Sequence, residues 1–219
     1  MSESTGQPYW ADYYRLTDAR PTRELFRAAL RLSATDPAHH RLAIDVGAGA
    51  GVETLELLRQ GWTVHAVDSQ KSAISYLRSA IPTELRSRCT ATAVPIERAH
   101  LPRADLVWAG ASLPFIDDSS ILRVLKRLSS ALNPGGLFAG DMFGTRHQWS
   151  KLSGMNFQTL KSAKALLSGL QIEYFVTEEG RRLTAMNGVV HWHSFGVIAR
   201  KPERVDTRAG TKRKFHGSH

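Results

Sequence analysis

The feature that most restricts the fold is an apolar run, Leu42–Val46, that passes directly into Gly47-Ala48-Gly49-Ala50-Gly51 and then into the apolar-periodic Leu55, Leu57 and Leu58. A strand feeding a glycine-rich turn that opens a helix lets the chain bend tightly and lets a ligand approach bare backbone. The turn therefore suits a nucleotide-like ligand. Its spacing is Gly-x-Gly-x-Gly, whereas the dinucleotide fingerprint requires glycine at position 52, where Val52 stands. Asp45 lies just before the first glycine. A carboxylate there repels a pyrophosphate and favours an ammonium group, so the ligand is expected to be cationic at that end. The next apolar run, residues 63–67, ends in Asp68, seventeen residues past Gly51. An acid at the tip of a second strand is placed to accept from both ribose hydroxyls. The alternative is that Asp68 and Ser69 only cap a helix through Ala73, Ile74 and Leu77.

Further strand-like runs at 104–109 and 137–142, with a weaker one at 90–94, alternate with helical stretches, the pattern of a parallel sheet covered on both faces. Leu25, Phe26, Ala29 and Leu30 mark a first helix. Ile121, Leu125, Leu128 and Leu132 form another helical stripe, with Asp118 or Ser119 expected as its cap and Asn133-Pro134-Gly135-Gly136 as its stop. Thr159 is placed to cap a helix whose apolar face includes Leu160, Ala163, Leu167 and Leu170. Residues 171–177 and 190–199 read as two strands linked by polar residues that include Gly180 and Gly188. That link is too short for a crossover helix, so the two strands should pair antiparallel.

With 219 residues, 42% hydrophobic and 22% charged, the chain suits one α/β domain. Its polar start and the lack of an apolar run of roughly 20 residues point to a soluble, cytoplasmic protein without membrane contact. A single cysteine, Cys89, excludes an internal disulfide and a cysteine metal cluster. The formal charge of +9 is concentrated at the end, where Arg200, Lys201, Arg204, Arg208, Lys212, Arg213 and Lys214 face only Glu203 and Asp206. Residues 201–219 are expected to be a disordered basic tail, with contact to RNA or another polyanion as the alternative.

These features resemble class I S-adenosylmethionine-dependent methyltransferases, and within them the small tellurite-resistance-type and thiol-type branch. The resemblance runs over most of residues 9–200: Tyr9-Trp10, Tyr13-Tyr14, Arg20-Pro21, residues 45–51, Val67-Asp68-Ser69, Ser112-Leu113-Pro114-Phe115, Asn133-Pro134-Gly135-Gly136 and His191-Trp192-His193. It implies a single doubly wound, mostly parallel seven-stranded sheet with its last strand antiparallel. Residues 1–40 would be an amino-terminal lid and first helix, and 41–200 the methyltransferase domain. It implies S-adenosylmethionine as cofactor, with Asp45 and the glycines at the methionine moiety, Asp68 at the ribose and Val94 at the adenine. The cofactor candidates are Asp45, Gly47, Ala48, Gly49, Gly51, Asp68, Ser69, Val94, Ala109 and Tyr14. Relatives commonly carry an acid after the third strand, and Thr92-Ala93-Val94-Pro95 offers none, which leaves the adenine to backbone groups and apolar walls.

Methyl transfer from a sulfonium is an in-line displacement, so positioning and desolvation supply much of the acceleration, and a base is needed only when the acceptor loses a proton. The acceptor pocket is expected around 109–115 and 141–149, where Trp108, Phe115, Phe143 and Trp149 cluster in sequence. Phe115, Phe143 and Trp149 are the substrate candidates. The resemblance places the final strand near the acceptor pocket, so His191 and His193, two apart and so on one face with Trp192 on the other, are the catalytic candidates, His193 the better base. The alternative is that both imidazoles only hydrogen-bond within the terminal strand pair and shape the wall. No third ligand accompanies them, so no metal is expected. Gly110-Ala111-Ser112-Leu113 replaces the Asp/Asn-Pro-Pro-Tyr segment of DNA amino-methyltransferases, and no Pro-Cys nucleophile exists for cytosine C5 chemistry. A small-molecule acceptor is the leading reading. A protein or RNA acceptor docked by the basic tail, and a non-catalytic nucleotide-binding module, are the alternatives; the acceptor atom and the oligomeric state are not legible.

Overall fold

The computed structural model describes residues 10–33 and 41–203; the expected tail beyond 203 and the opening Tyr9 lie outside them. The elements run α1 (Trp10–Thr17), α2 (Glu24–Leu32), β1 (Leu42–Val46), α3 (Val52–Arg59), β2 (Thr63–Asp68), α4 (Lys71–Ala80), β3 (Cys89–Ala93), β4 (Ala104–Ala109), α5 (Asp118–Ala131), β5 (Leu132–Phe143), α6 (Leu160–Leu166), β6 (Gln171–Thr184) and β7 (Gly188–Arg200). They build one seven-stranded sheet in the order β3-β2-β1-β4-β5-β7-β6, with β7 antiparallel to both its neighbours. This is the expected doubly wound sheet with its last strand reversed.

Strands buried on both faces need continuous apolar sequence, which is why β1 and β4 read so clearly. One face packs Phe26 of α2, Leu57 and Leu58 of α3, and Ile74 and Leu77 of α4; the other packs Ile121, Leu125 and Leu128 of α5 and Ala163 of α6. Trp108, expected near the acceptor, is instead a core residue, 1% exposed, with Phe26 edge-on at 5.2 Å. Burying such a side chain contributes about 1.5–3 kcal/mol, so the pair fixes α2 to the sheet.

Several boundaries differ from expectation. The cap of α5 is Asp117, whose side chain accepts from Ser119 N at 2.9 Å. Asn133-Pro134-Gly135-Gly136 does not precede β5 but lies within it, as an irregularity between the pairs Ala104↔Leu132 and Leu106↔Leu137. Thr159 does cap α6 through a box with Ser162, yet α6 ends at Leu166 and Leu160 is exposed. Gly180 and Gly188 are not a linker: the first lies inside β6 and the second begins β7. Among the described residues no helix is long and apolar enough to cross a membrane.

Candidate active site

The strand order turns outward in both directions from β1 and β4, so a crevice opens at their carboxyl ends. Asp45, Gly47, Ala48, Gly49 and Gly51 come to it from the end of β1 and the turn beyond. Asp68 and Ser69 come from β2, Val94 from just past β3, Ala109 from the last position of β4, and Tyr14 from α1. The turn is held from below, Gly47 N and Ala48 N donating to Val67 O at 2.8 and 3.1 Å. Gly47 has φ +71°, and a Cβ there would stand 2.4 Å from Ser112 Cβ, so this glycine is where the turn meets the loop after β4. Gly49, φ +53°, lies under the Tyr14 ring, 3.6 Å from where its own Cβ would be.

Asp68 ties two loops together. Its Oδ2 accepts from Gly49 N at 3.0 Å and its Oδ1 from Gln70 N at 2.8 Å. It does not cap α4, whose N-cap is Gln70. Burial pushes its carboxyl up, against the pull of the two amides. Asp45 lies beneath the turn, 2% exposed, and accepts from Thr54 Oγ1 at 2.5 Å; burial pushes its carboxyl up to about 7. Glu53, in the first turn of α3, is also buried and receives both Arg20 guanidinium nitrogens at 2.7 Å. Tyr14 is buried and its hydroxyl pKa is raised, first by burial and then by the Asp68 charge. Arg20, Glu53 and Thr54 were not singled out from sequence, although an acid two residues after the last glycine is a recognisable first-turn position.

Three carboxylates thus surround the turn with one bidentate arginine among them. Ser112 Oγ, beside Gly47, is buried and makes no hydrogen bond among the described residues. An acid-rich, glycine-floored crevice with an unpaired hydroxyl fits a ligand that is cationic at one end and polar beside it, as S-adenosylmethionine is.

The expected substrate residues do converge. Phe143 lies 6.4 Å from Phe115 and 5.9 Å from Trp149, ring centre to ring centre. His147, Phe157 and Trp192 complete the cluster: His147 stacks on Phe143 at 4.1 Å and 9°, and Trp192 meets Phe143 edge-on at 4.9 Å. The loop over this cluster is pinned to the segment after β4 by Asn156, whose Nδ2 donates to Leu113 O and Ile116 O at 2.6 and 2.9 Å. Ala111, at φ +51°, is held by its N–H on Asp141 Oδ1, 2.8 Å.

The histidine pair is arranged differently from expectation, because Trp192's face, not that of His191 and His193, meets the aromatic cluster. His193 is 1% exposed and its Nδ1 accepts from Arg146 N at 3.1 Å. A neutral ring then keeps its proton on Nε2, which has no partner among the described residues. His193 so held is a donor rather than a base. His147 repeats the arrangement: Nδ1 accepts from Trp149 N at 3.1 Å, Nε2 is buried without a partner among the described residues, and burial pushes its pKa down to about 4. His191 is exposed, with Nε2 3.3 Å from Glu179 Oε1.

Residues 43–136 match the model of a family described as a methyltransferase domain. The magnesium-protoporphyrin O-methyltransferase of Rhodobacter capsulatus is 29% identical over 119 residues, which are 54% of this chain and 53% of that protein. The chain spans about half the length, or less, of the curated relatives it matches. Among solved structures, a SAM-dependent methyltransferase from Methanosarcina mazei superposes with a TM-score of 0.65 at 19% identity, covering 84% of this chain and 100% of the other. TehB from Haemophilus influenzae superposes at 0.69 with 16% identity, over 88% of this chain and 67% of its own.

Proposed function

From a chain that carries a methyltransferase domain in the class I S-adenosylmethionine-dependent methyltransferase fold, we propose methyl transfer from S-adenosylmethionine to a small-molecule acceptor held against the aromatic cluster at the end of β5. The observation that carries the reading is the pairing of two environments at one sheet end. One is an acid-rich turn around Asp45, Glu53 and Asp68; the other is an aromatic wall of Phe115, Phe143 and Trp149 with Trp192. When bound, the cofactor supplies an electrophilic methyl group on a sulfonium. Asp68 would take the ribose hydroxyls, the bare backbone of Gly47 and Gly49 the methionine moiety, and Val94 one side of the adenine.

The chain's own contribution is then position and exclusion of water. His147, stacked on Phe143 with Nδ1 accepting from Trp149 N, is assigned to orienting an acceptor atom that takes a hydrogen bond from Nε2–H. A small acceptor is favoured over a macromolecule docked by the tail. Arg200 pairs with Leu137, and Lys201 Nζ donates to Ser129 O and Leu132 O, so the described chain ends at the amino edge of the sheet, opposite the site. The relative acting on magnesium protoporphyrin is consistent with a small acceptor. Incubating the protein with methyl-labelled S-adenosylmethionine and pooled metabolites tests the proposal: label should appear in a low-molecular-weight product. Stabilisation by a nicotinamide dinucleotide and not by S-adenosylhomocysteine would overturn it.

A further inference from the structure

The outer edge of the sheet carries a self-complementary charge pattern. β6 bonds β7 on its inner side, and among the described residues no strand pairs with its outer side. β5 ends where Phe143 pairs with Ser194, so residues 179–184 and 188–193 continue past the sheet as a two-stranded ribbon. Gly144 N and Gln148 N donate to His193 O and His191 O on the β7 side of the ribbon, so its free edge is the β6 side, and a free edge is a template for another strand. Here that edge reads Glu178-Glu179-Gly180-Arg181-Arg182, followed by Leu183, which is 79% exposed.

Charges on an edge ordinarily block strand addition. This arrangement favours one register over the others. A parallel, in-register copy sets Glu against Glu and Arg against Arg. An antiparallel copy turned about Gly180 sets Glu179 against Arg181 and Glu178 against Arg182, and does so twice by symmetry. Shifting that register by one residue in either direction leaves only half of these pairs. Opposite charges directly across strands stabilise pairing, and like charges oppose it. Gly180, φ +147°, places no side chain on the axis. Within the chain Arg181 has no ion-pair partner among the described residues, while Glu178 meets Arg182 at 3.0 Å in an exposed pair whose exchange costs little.

We propose that this edge joins two copies of the chain by antiparallel β6–β6 pairing centred on Gly180, making the two ribbons one four-stranded layer. The β7 half of each ribbon holds Trp192 against Phe143, so the joint would also stiffen one wall of the aromatic cluster. The test uses the full chain in low salt, with sedimentation velocity over a range of concentrations. Wild type should dimerise. Within the chain Glu179 accepts from Arg146 Nε at 2.8 Å, a pair that R181E/R182E leaves intact and E178R/E179R removes, and each of the two variants should dissociate at least about tenfold more readily. Mixed in equal amounts, the two variants should recover a dimer containing one of each, seen by native mass spectrometry. Hydrogen exchange guards against misfolding: β6 amides should be protected in a concentration-dependent way in wild type, and β7 amides should stay protected in R181E/R182E. A wild type that stays monomeric at all concentrations, a dimer indifferent to both charge reversals, or a mixture that fails to pair would each overturn the proposal.

Discussion

Replacing Asp68 with alanine tests the centre of the site in two ways at once. The carboxylate accepts from Gly49 N at 3.0 Å and Gln70 N at 2.8 Å, so alanine leaves two backbone donors without their partner. Hydrogen bonds to a charged group contribute about 1.5–3 kcal/mol each. Burial already raises the Asp68 pKa, which means the charge is held at a cost and the net loss is smaller. Taking roughly 1 kcal/mol for each bond gives an expected destabilisation of about 2 kcal/mol. For a chain of this size that is a fall of about 4–8 °C in Tm. The domain should still fold, since this is a fraction of a typical stability of about 5–15 kcal/mol. Binding should suffer separately, because both ribose hydroxyls lose their acceptor: S-adenosylhomocysteine should bind at least about tenfold more weakly, or about 1.4 kcal/mol. Urea unfolding and titration calorimetry measure the two effects. Asp68→Asn should recover part of the stability, its one oxygen accepting one amide, and still bind less tightly than wild type. Unchanged affinity in Asp68→Ala would refute the ribose assignment, and an unchanged urea midpoint would refute the clasp.

Four further outcomes follow from the geometry. His147, pushed down to about 4 from an unfolded value near 6.5, contributes stability that is present above pH 6.5 and lost as pH falls toward 4, up to about 3 kcal/mol; His147→Gln should flatten that part of the urea midpoint against pH, and an unaltered slope would sink the assignment. Asp45 has the opposite sign: raised to about 7, it favours the fold below about pH 3.8 and loses that contribution as pH rises through 7, so Asp45→Asn should narrow the gap to wild type, or exceed it, at pH 8.5. Gly47→Ala should cost more than about 2 kcal/mol, from left-handed strain plus the 2.4 Å contact with Ser112, and Gly49→Ala only about 1–2 kcal/mol from strain; equal losses would contradict the packing. A chain ending at Pro202 should keep its turnover of a small acceptor, and loss of turnover on truncation would favour a macromolecular one.

The parts of the molecule legible in the sequence are those whose causes are local. The run from Leu42 through the glycines to Leu58 and on to Asp68 is a strand, a turn and a helix whose residues determine one another within a few positions. The reach from Gly49 to Asp68 is likewise one strand–helix–strand unit. β3 was faint because only Ala91 is fully buried in it, and an edge strand supplies little apolar signal. Asn133-Pro134-Gly135-Gly136 misled because turn chemistry inside a strand looks the same as turn chemistry before one; the pairing with β4 and the bonds between Gly135 N and Lys201 O and between Lys201 N and Gly136 O decide the matter from distant segments. The same distinction divides the site. Arg20 and Glu53 are 33 residues apart. Trp192 reaches Phe143 only because β7 returns alongside β5 in a register that sets Ser194 against Phe143. That register also decides which side of the strand faces the aromatic cluster, and period-two alternation alone says only that His191 and His193 share a side. The proposed cofactor half of the site is thus written along the chain, while the proposed acceptor half is assembled across it by the register that brings Trp192 to Phe143.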